Sequence, residues 1–334
     1  MGENLVGLLI ESVEMKNILS KILTLFVKIN YWSVSSKHRF FVRFYYIGRY
    51  MQLKYFVKDY VLKPKYKIVS YDGEFSPELK FVLPFAYWHY LNGTLKETVS
   101  SKNTKELYFF SEKHTEKFNE RVWCDFNYDL EIPNAEDHNI KYNFSKWALV
   151  PLKNKYQNTL FVFERPILII ANKYNTEWDD EPISYFSIEI LRKLFDQLIG
   201  KYQILYNRPL AKFLINDNSN VLDLNEHCWI KKNYPSVILM DDLFEDNKSK
   251  FNNFNHFQLS VYANSDNFIS THGGTATLAS YFCGTNLIFS VKGHEHFFNE
   301  YETIYPKLSN AKILVAQNES ELMYKVNCFF DLGE

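Results

Sequence analysis

The densest group of side chains suited to holding a ligand is the run Ile269-Ser270-Thr271-His272-Gly273-Gly274-Thr275-Ala276-Thr277. Two adjacent glycines let a backbone approach a ligand with no Cβ in the way, and a turn that opens a helix offers N–H groups and a positive dipole end to an anion such as a pyrophosphate. Thr275 and Thr277 add hydroxyl donors to that turn, and His272 an imidazole. Two further pairs, Asn172-Lys173 and Asn207-Arg208, each follow an apolar run and so belong at strand ends. A cation there, Lys173 or Arg208, can neutralise charge that develops on a diphosphate leaving group without a metal. Pro209 ends its strand and leaves Arg208 at the carboxyl edge. His294 and His296 have a His-x-His spacing with no third ligand, a weak metal signal. The acidic triplet Asp179-Asp180-Glu181 stands before Pro182 and reads as an exposed turn.

These residues are positioned by a second half in which apolar, β-branched runs alternate with helical patterns, the rhythm of a doubly wound parallel sheet. Strands are expected at 166–171, 202–206, 236–240, 267–270, 286–291 and 312–316, and helices at 187–201, 251–263, 275–282 and 319–330. The Gly273-Gly274 turn then follows the fourth strand, where a ligand crevice belongs in such a sheet. The first half reads differently. Residues 15–32 and 38–62 have the pattern of aromatic-rich helices, followed by a strand at 66–70, another at 105–111 and a helix from Glu112 to Arg121. The fold expected is α/β with two Rossmann-like lobes: residues 1–155, and residues 156–334 as the nucleotide-binding domain, with the boundary near 150–165.

The segment from Phe268 to Thr277, followed by Phe282-Cys283-Gly284-Thr285-Asn286-Leu287-Ile288, resembles the donor-site block of GT-B glycosyltransferases. In that family a strand ends in His-Gly-Gly, a Thr or Ser follows, and a Gly precedes the next strand. The resemblance covers roughly the last third of the chain. It implies that His272, Gly273, Gly274, Thr275 and Thr277 hold the diphosphate of a nucleotide sugar, and that the loop of His294 and Glu295 meets its sugar hydroxyls. Many members bind the ribose through a Glu in the helix after the glycines; the matching residue here is Ala279. A sugar hydroxyl that attacks C1 must lose a proton, and His89, Glu112 and His114 in the first half are the candidate bases.

Composition removes several other classes. Thirty-eight Lys and Arg against 39 Asp and Glu give a net charge of −1, with no field to concentrate nucleic acid. Cys124, Cys228, Cys283 and Cys328 form neither a Cys-x-x-Cys pair nor a metal spacing, as suits free thiols in a reducing compartment. Lys21 and Lys28 interrupt the early apolar run, so neither a secretion signal nor a membrane span is expected. Walker A, Gly-x-Ser-x-Gly, His-Glu-x-x-His and Gly-x-Gly-x-x-Gly patterns are all missing.

The resulting expectation is a cytoplasmic, metal-independent glycosyltransferase with no cofactor beyond its nucleotide-sugar donor. Its acceptor is a glycan or a lipid-linked glycan in surface polysaccharide assembly. A polysaccharide pyruvyltransferase and a non-catalytic carbohydrate- or nucleotide-binding module are the alternatives. Between Lys16 and Lys63 cations alternate with Phe, Tyr, Ile and Leu, and Ile18, Ile22, Leu25 and Ile29 share a helical face. That pattern suits either packing on the first lobe or peripheral contact with an anionic membrane surface at its inner face.

Overall fold

The computed structural model describes residues 13–122, 132–133, 142–177, 181–209 and 219–331. They divide into two compact units, one of residues 13–64 and one from Lys65 onward; residues 150–165, the expected boundary, fall within the second.

The first unit is a helical hairpin. Helix Val13–Asn30 is followed by a turn and by helix Ser36–Phe56, which continues into a π-helical turn, Val57–Leu62. Phe26 meets Tyr46 edge to face at 5.5 Å, and the Tyr31 and Tyr46 hydroxyls are 2.9 Å apart. Lys63, left-handed at φ 46°, ends the helix just before Pro64, which cannot continue it.

The strands, in chain order, are β1 (Lys67–Ser70), β2 (Leu95–Ser101), β3 (His114–Phe118), β4 (Ile167–Ala171), β5 (Asn175–Glu177), β6 (Gln203–Asn207), β7 (Ser219–Val221), β8 (Ile238–Leu239), β9 (Asn267–Thr271), β10 (Thr285–Phe289) and β11 (Lys312–Ala316). β5 and β7 form a small antiparallel ribbon. Six strands make one parallel sheet in the order β11-β10-β9-β4-β6-β8. Counted along the chain within this sheet, the order is 3-2-1-4-5-6, the doubly wound arrangement. The chain runs outward from β4 through β6 to β8, then returns to the other side of β4 as β9. All five residues of β4 are buried, as expected of the central strand of a sheet covered on both faces.

The helices of this domain follow their local chemistry. Ser187 caps helix Ile188–Leu198, and Ile190, Leu191, Leu194, Phe195 and Leu198 form its buried stripe. Asn253 caps helix Phe254–Tyr262 by accepting from the His256 N–H, so an Asn with low helical propensity marks the start of this helix.

β1, β2 and β3 form a second, three-stranded parallel sheet. Here two expectations are corrected. Residues 105–110 are turns rather than a strand, and β3 replaces the helix expected over Glu112–Arg121. Leu107, Tyr108 and Phe110 are buried as anchors of a tight loop, while β3 is held in register by His114 on Thr98 and by Lys113 and Thr115 on Glu97. Cross-strand pairing of this kind outweighs local helical preference. One continuous core joins the two sheets: Val69, Leu79, Leu83 and Phe85 belong with Phe257, Phe268 and Phe282.

Candidate functional site

The strand order reverses between β4 and β9, and the carboxyl ends of those strands deliver Lys173 and His272-Gly273-Gly274 to the same place. Gly273 has φ +76° and ψ −146°, a backbone conformation that side chains rarely adopt. A Cβ on it would lie 3.5 Å from Lys173 Nζ, so the ammonium stands over the turn. Helix Gly274–Ala279 starts there. Thr275 is half-buried on its first turn, whereas Thr277 is fully buried. Thr277 Oγ1 lies 2.9 Å from Gly273 O, 2.9 Å from Ser76 Oγ and 3.0 Å from Tyr305 OH. Thr277, expected to offer its hydroxyl to a ligand, is therefore a buried strut that fixes the turn. Phe75 covers the other side, its Cδ1 3.0 Å from where a Cβ of Gly274 would be.

The loop after β10 completes the group. A Cβ on Gly293 would lie 2.7 Å from Glu295 Oε2 and 3.8 Å from His272 Nδ1, so carboxylate and imidazole flank one point. Glu295 is buried, and burial alone would raise its pKa; Lys80, His272 and Lys173 nevertheless hold the carboxyl below its ordinary range. Lys80, itself buried, pairs with the buried Glu300 at 2.5 Å. Burial and the Glu295 charge push the phenols of Tyr301 and Tyr305 up. Lys173 and Glu295 thus stand by the His272-Gly273-Gly293 backbone, and Lys80, which acts on Glu295, is itself paired with Glu300. Lys80 and Glu300 were missed in the sequence; a lone Lys within Leu79-Lys80-Phe81-Val82-Leu83 was the available signal, because a charge in an apolar run is buried only with a partner.

On the other side of β4 the polar residues are turned inward. Arg208, expected to face a diphosphate, is buried and makes a bidentate pair with the fully buried Glu226: Nε to Oε1, and Nη2 to Oε2 at 2.9 Å. Its Nη1 donates to Leu222 O at 3.1 Å. Tyr206 OH donates to Glu226 Oε1 at 3.2 Å. Asn172 is spent on the chain around Phe186, accepting from its N–H at 2.9 Å and donating to its carbonyl at 3.0 Å. Asn207 Nδ2 donates to Tyr262 OH at 2.7 Å. Of the four strand-end residues expected to reach a ligand, only Lys173 stands at the turn.

The candidate bases are not brought to it. His89 is fully buried, with Nδ1 2.7 Å from Thr94 Oγ1 and its ring packed on Phe85, Trp88 and Tyr66. Burial, assisted by the Lys67 and Lys146 charges, pushes it down to about 2. Such an imidazole is a neutral core residue and a poor proton acceptor. Glu112 pairs on the surface with Lys65 at 2.9 Å. His114, its pKa lowered by burial, stacks on Tyr108 and bonds Thr98 at 2.8 Å. Glu112 and His114 line one shallow pocket beside β3 with Lys105 and Lys113. Nearer the turn, Arg121 packs over the Phe75 ring and pairs with the fully buried Glu78 at 2.6 Å, which also accepts from Tyr108 OH at 2.8 Å.

His294 is exposed, and His296 Nε2 is 2.8 Å from Ser290 O, so the two imidazoles do not form a ligand pair. Among the described residues no three His, Cys, Asp or Glu converge as a metal site. Asp179 and Asp180 lie outside the described residues. Comparisons of the chain with protein-family models, with curated proteins and with solved structures found no match.

Proposed function

We propose that the protein is a metal-independent glycosyltransferase of the two-lobed GT-B type, which moves a sugar from a nucleotide-sugar donor to a glycan or lipid-linked acceptor in surface polysaccharide assembly. The observation that carries this reading is the position of the Gly273 turn, at the point where the strand order of a doubly wound sheet reverses, with the Lys173 ammonium over it. In this reading the six-stranded domain holds the donor and the part built on β1–β3 carries the acceptor, on the cytoplasmic side of the cell. The diphosphate lies on the backbone of Gly273 and Gly274, near the half-buried Thr275. Lys173 faces the charge that grows on the leaving group as the glycosidic bond breaks, which is the part of the reaction an ammonium can stabilise most. Glu295, kept ionised by its neighbours, accepts hydrogen bonds from donor sugar hydroxyls.

The test is turnover of a panel of UDP-, GDP-, CMP- and ADP-linked sugars in the presence of EDTA. Nucleotide release or sugar transfer with one donor is expected. Turnover of phosphoenolpyruvate instead would make the protein a pyruvyltransferase. Tight nucleotide or saccharide binding with no turnover would make it a binding module. Activity lost in EDTA and restored by manganese would move the chemistry to Asp179-Asp180-Glu181.

A further inference from the structure

The helical unit of residues 13–64 leaves a large apolar surface in water. On helix Val13–Asn30, Ile22, Leu25, Phe26 and Ile29 recur at the spacing that places side chains on one stripe. All four are exposed, Ile22 at 59% and Ile29 at 62%, and Trp32 just beyond the helix is 77% exposed. On the second helix and its π-helical end, Leu53, Phe56, Val57, Tyr60 and Val61 are exposed as well. Within the unit itself Phe26 touches Tyr46, yet each of these side chains stays exposed. Apolar surface of this extent, rimmed by polar groups, marks a contact face.

The charge on the same unit says what it contacts. Residues 13–64 have ten Lys and Arg and two acids, Glu14 and Asp59, of which Asp59 is fully buried. The unit therefore contributes +8 to a chain whose total is −1, and the remainder carries −9. Lys21 and Lys28 are exposed beside the apolar stripe, and Arg49 and Lys63 are exposed on the second helix and just after it. A second copy of this unit would set cation against cation. An anionic lipid surface satisfies both features at once: acyl chains take the apolar stripe, while Lys stems reach back to the phosphates. Tryptophan and tyrosine at the edge of such a stripe suit the headgroup level. No described helix is long and apolar enough to cross a membrane, so the hairpin would lie in the interface.

We infer that residues 13–64 are an amphipathic hairpin that docks the protein on an anionic membrane, with Ile22, Leu25, Phe26, Ile29 and Trp32 inserted at the headgroup boundary. The inference stands on this unit alone and does not need the transferase reading. It is tested by flotation of the full chain with phosphatidylcholine vesicles, with and without phosphatidylglycerol, at low and high salt. The chain floats with the anionic vesicles at low salt, is largely released by high salt, and stays unbound to neutral ones. Ile22→Asp combined with Ile29→Asp abolishes flotation with circular dichroism unchanged, since both side chains are exposed. Lys21→Glu combined with Lys28→Glu weakens it by about tenfold or more. No binding to anionic vesicles at low salt, or binding that both double variants leave intact, overturns the inference. So does a concentration-dependent dimer that Ile22→Asp with Ile29→Asp disperses while no vesicle binding is seen.

Discussion

At the ends of β4 and β6, Asn172, Asn207 and Arg208 are buried and bonded to their own chain, with Arg208 neutralised by Glu226 in a two-pronged pair. At the ends of β4 and β9, one strand away, Lys173 and His272 stand around a half-buried glycine turn that has no side chain of its own. Both groups occupy the carboxyl edge of one sheet and both contain a cation. In the first the cation is buried and closed by Glu226, as a buried charge must be; the second leaves half-buried backbone at the turn. Position at a strand end therefore nominates a residue for binding, and how deeply the fold buries it decides whether it can serve.

The sharpest way to break this contrast is to remove the partner. Glu226→Ala leaves the Arg208 guanidinium buried without its counter-charge, and a loss of about 3–5 kcal/mol is expected in urea denaturation. Nucleotide affinity of the molecules that remain folded should not change. A loss below about 1 kcal/mol would mean that Arg208 escapes to solvent and is available after all.

His89 tests the same distinction in the smaller sheet. Burial keeps its imidazole neutral, with a folded pKa of about 2 against 6.5 when exposed. Between those values the unfolded chain holds a proton that the folded chain does not, so stability is fully present above pH 6.5 and declines as pH falls below it. The loss from this residue is about 2 kcal/mol at pH 5. His89→Phe should flatten the acid side of the stability curve by about that amount between pH 7.5 and pH 5. An unchanged slope would show that His89 is solvated and accessible, as a general base needs to be.

The six-stranded domain was legible because each of its signals is local. Ile167 to Ala171 is uninterruptedly apolar, Ser187 precedes a clear helical stripe, and Gly273-Gly274 falls between strand and helix patterns, so the strand positions and the turn could be read in advance. The strand expected over 236–240 is shorter in the structure: β8 is only two residues long and passes straight into helix Met240–Asn247. In the smaller sheet the signals are long-range. Tyr108 is fixed by Glu78, thirty residues away, and β3 by contacts on β2, so the run from Lys105 to Ser111 looked like a strand and the run after it like a helix. The site divides in the same way. The glycine turn and Lys173 follow from pattern, whereas the pairing of Arg208 with Glu226 and of Lys80 with Glu300 depends on distant parts of the chain meeting.

The central claim is that the Gly273 turn with Lys173 receives a diphosphate, and calorimetric titration with UDP, GDP, CDP and ADP tests it most directly. One of these should bind the native protein, and Lys173→Gln should weaken that binding by about tenfold or more, the worth of a hydrogen bond to a charged group. Because Lys173 also acts on the buried Glu295, the melting temperature of the variant without nucleotide is measured alongside, to separate a lost nucleotide contact from a loosened fold. A diphosphate that binds native protein and Lys173→Gln with equal affinity, or no binding by any of the four, would contradict the account.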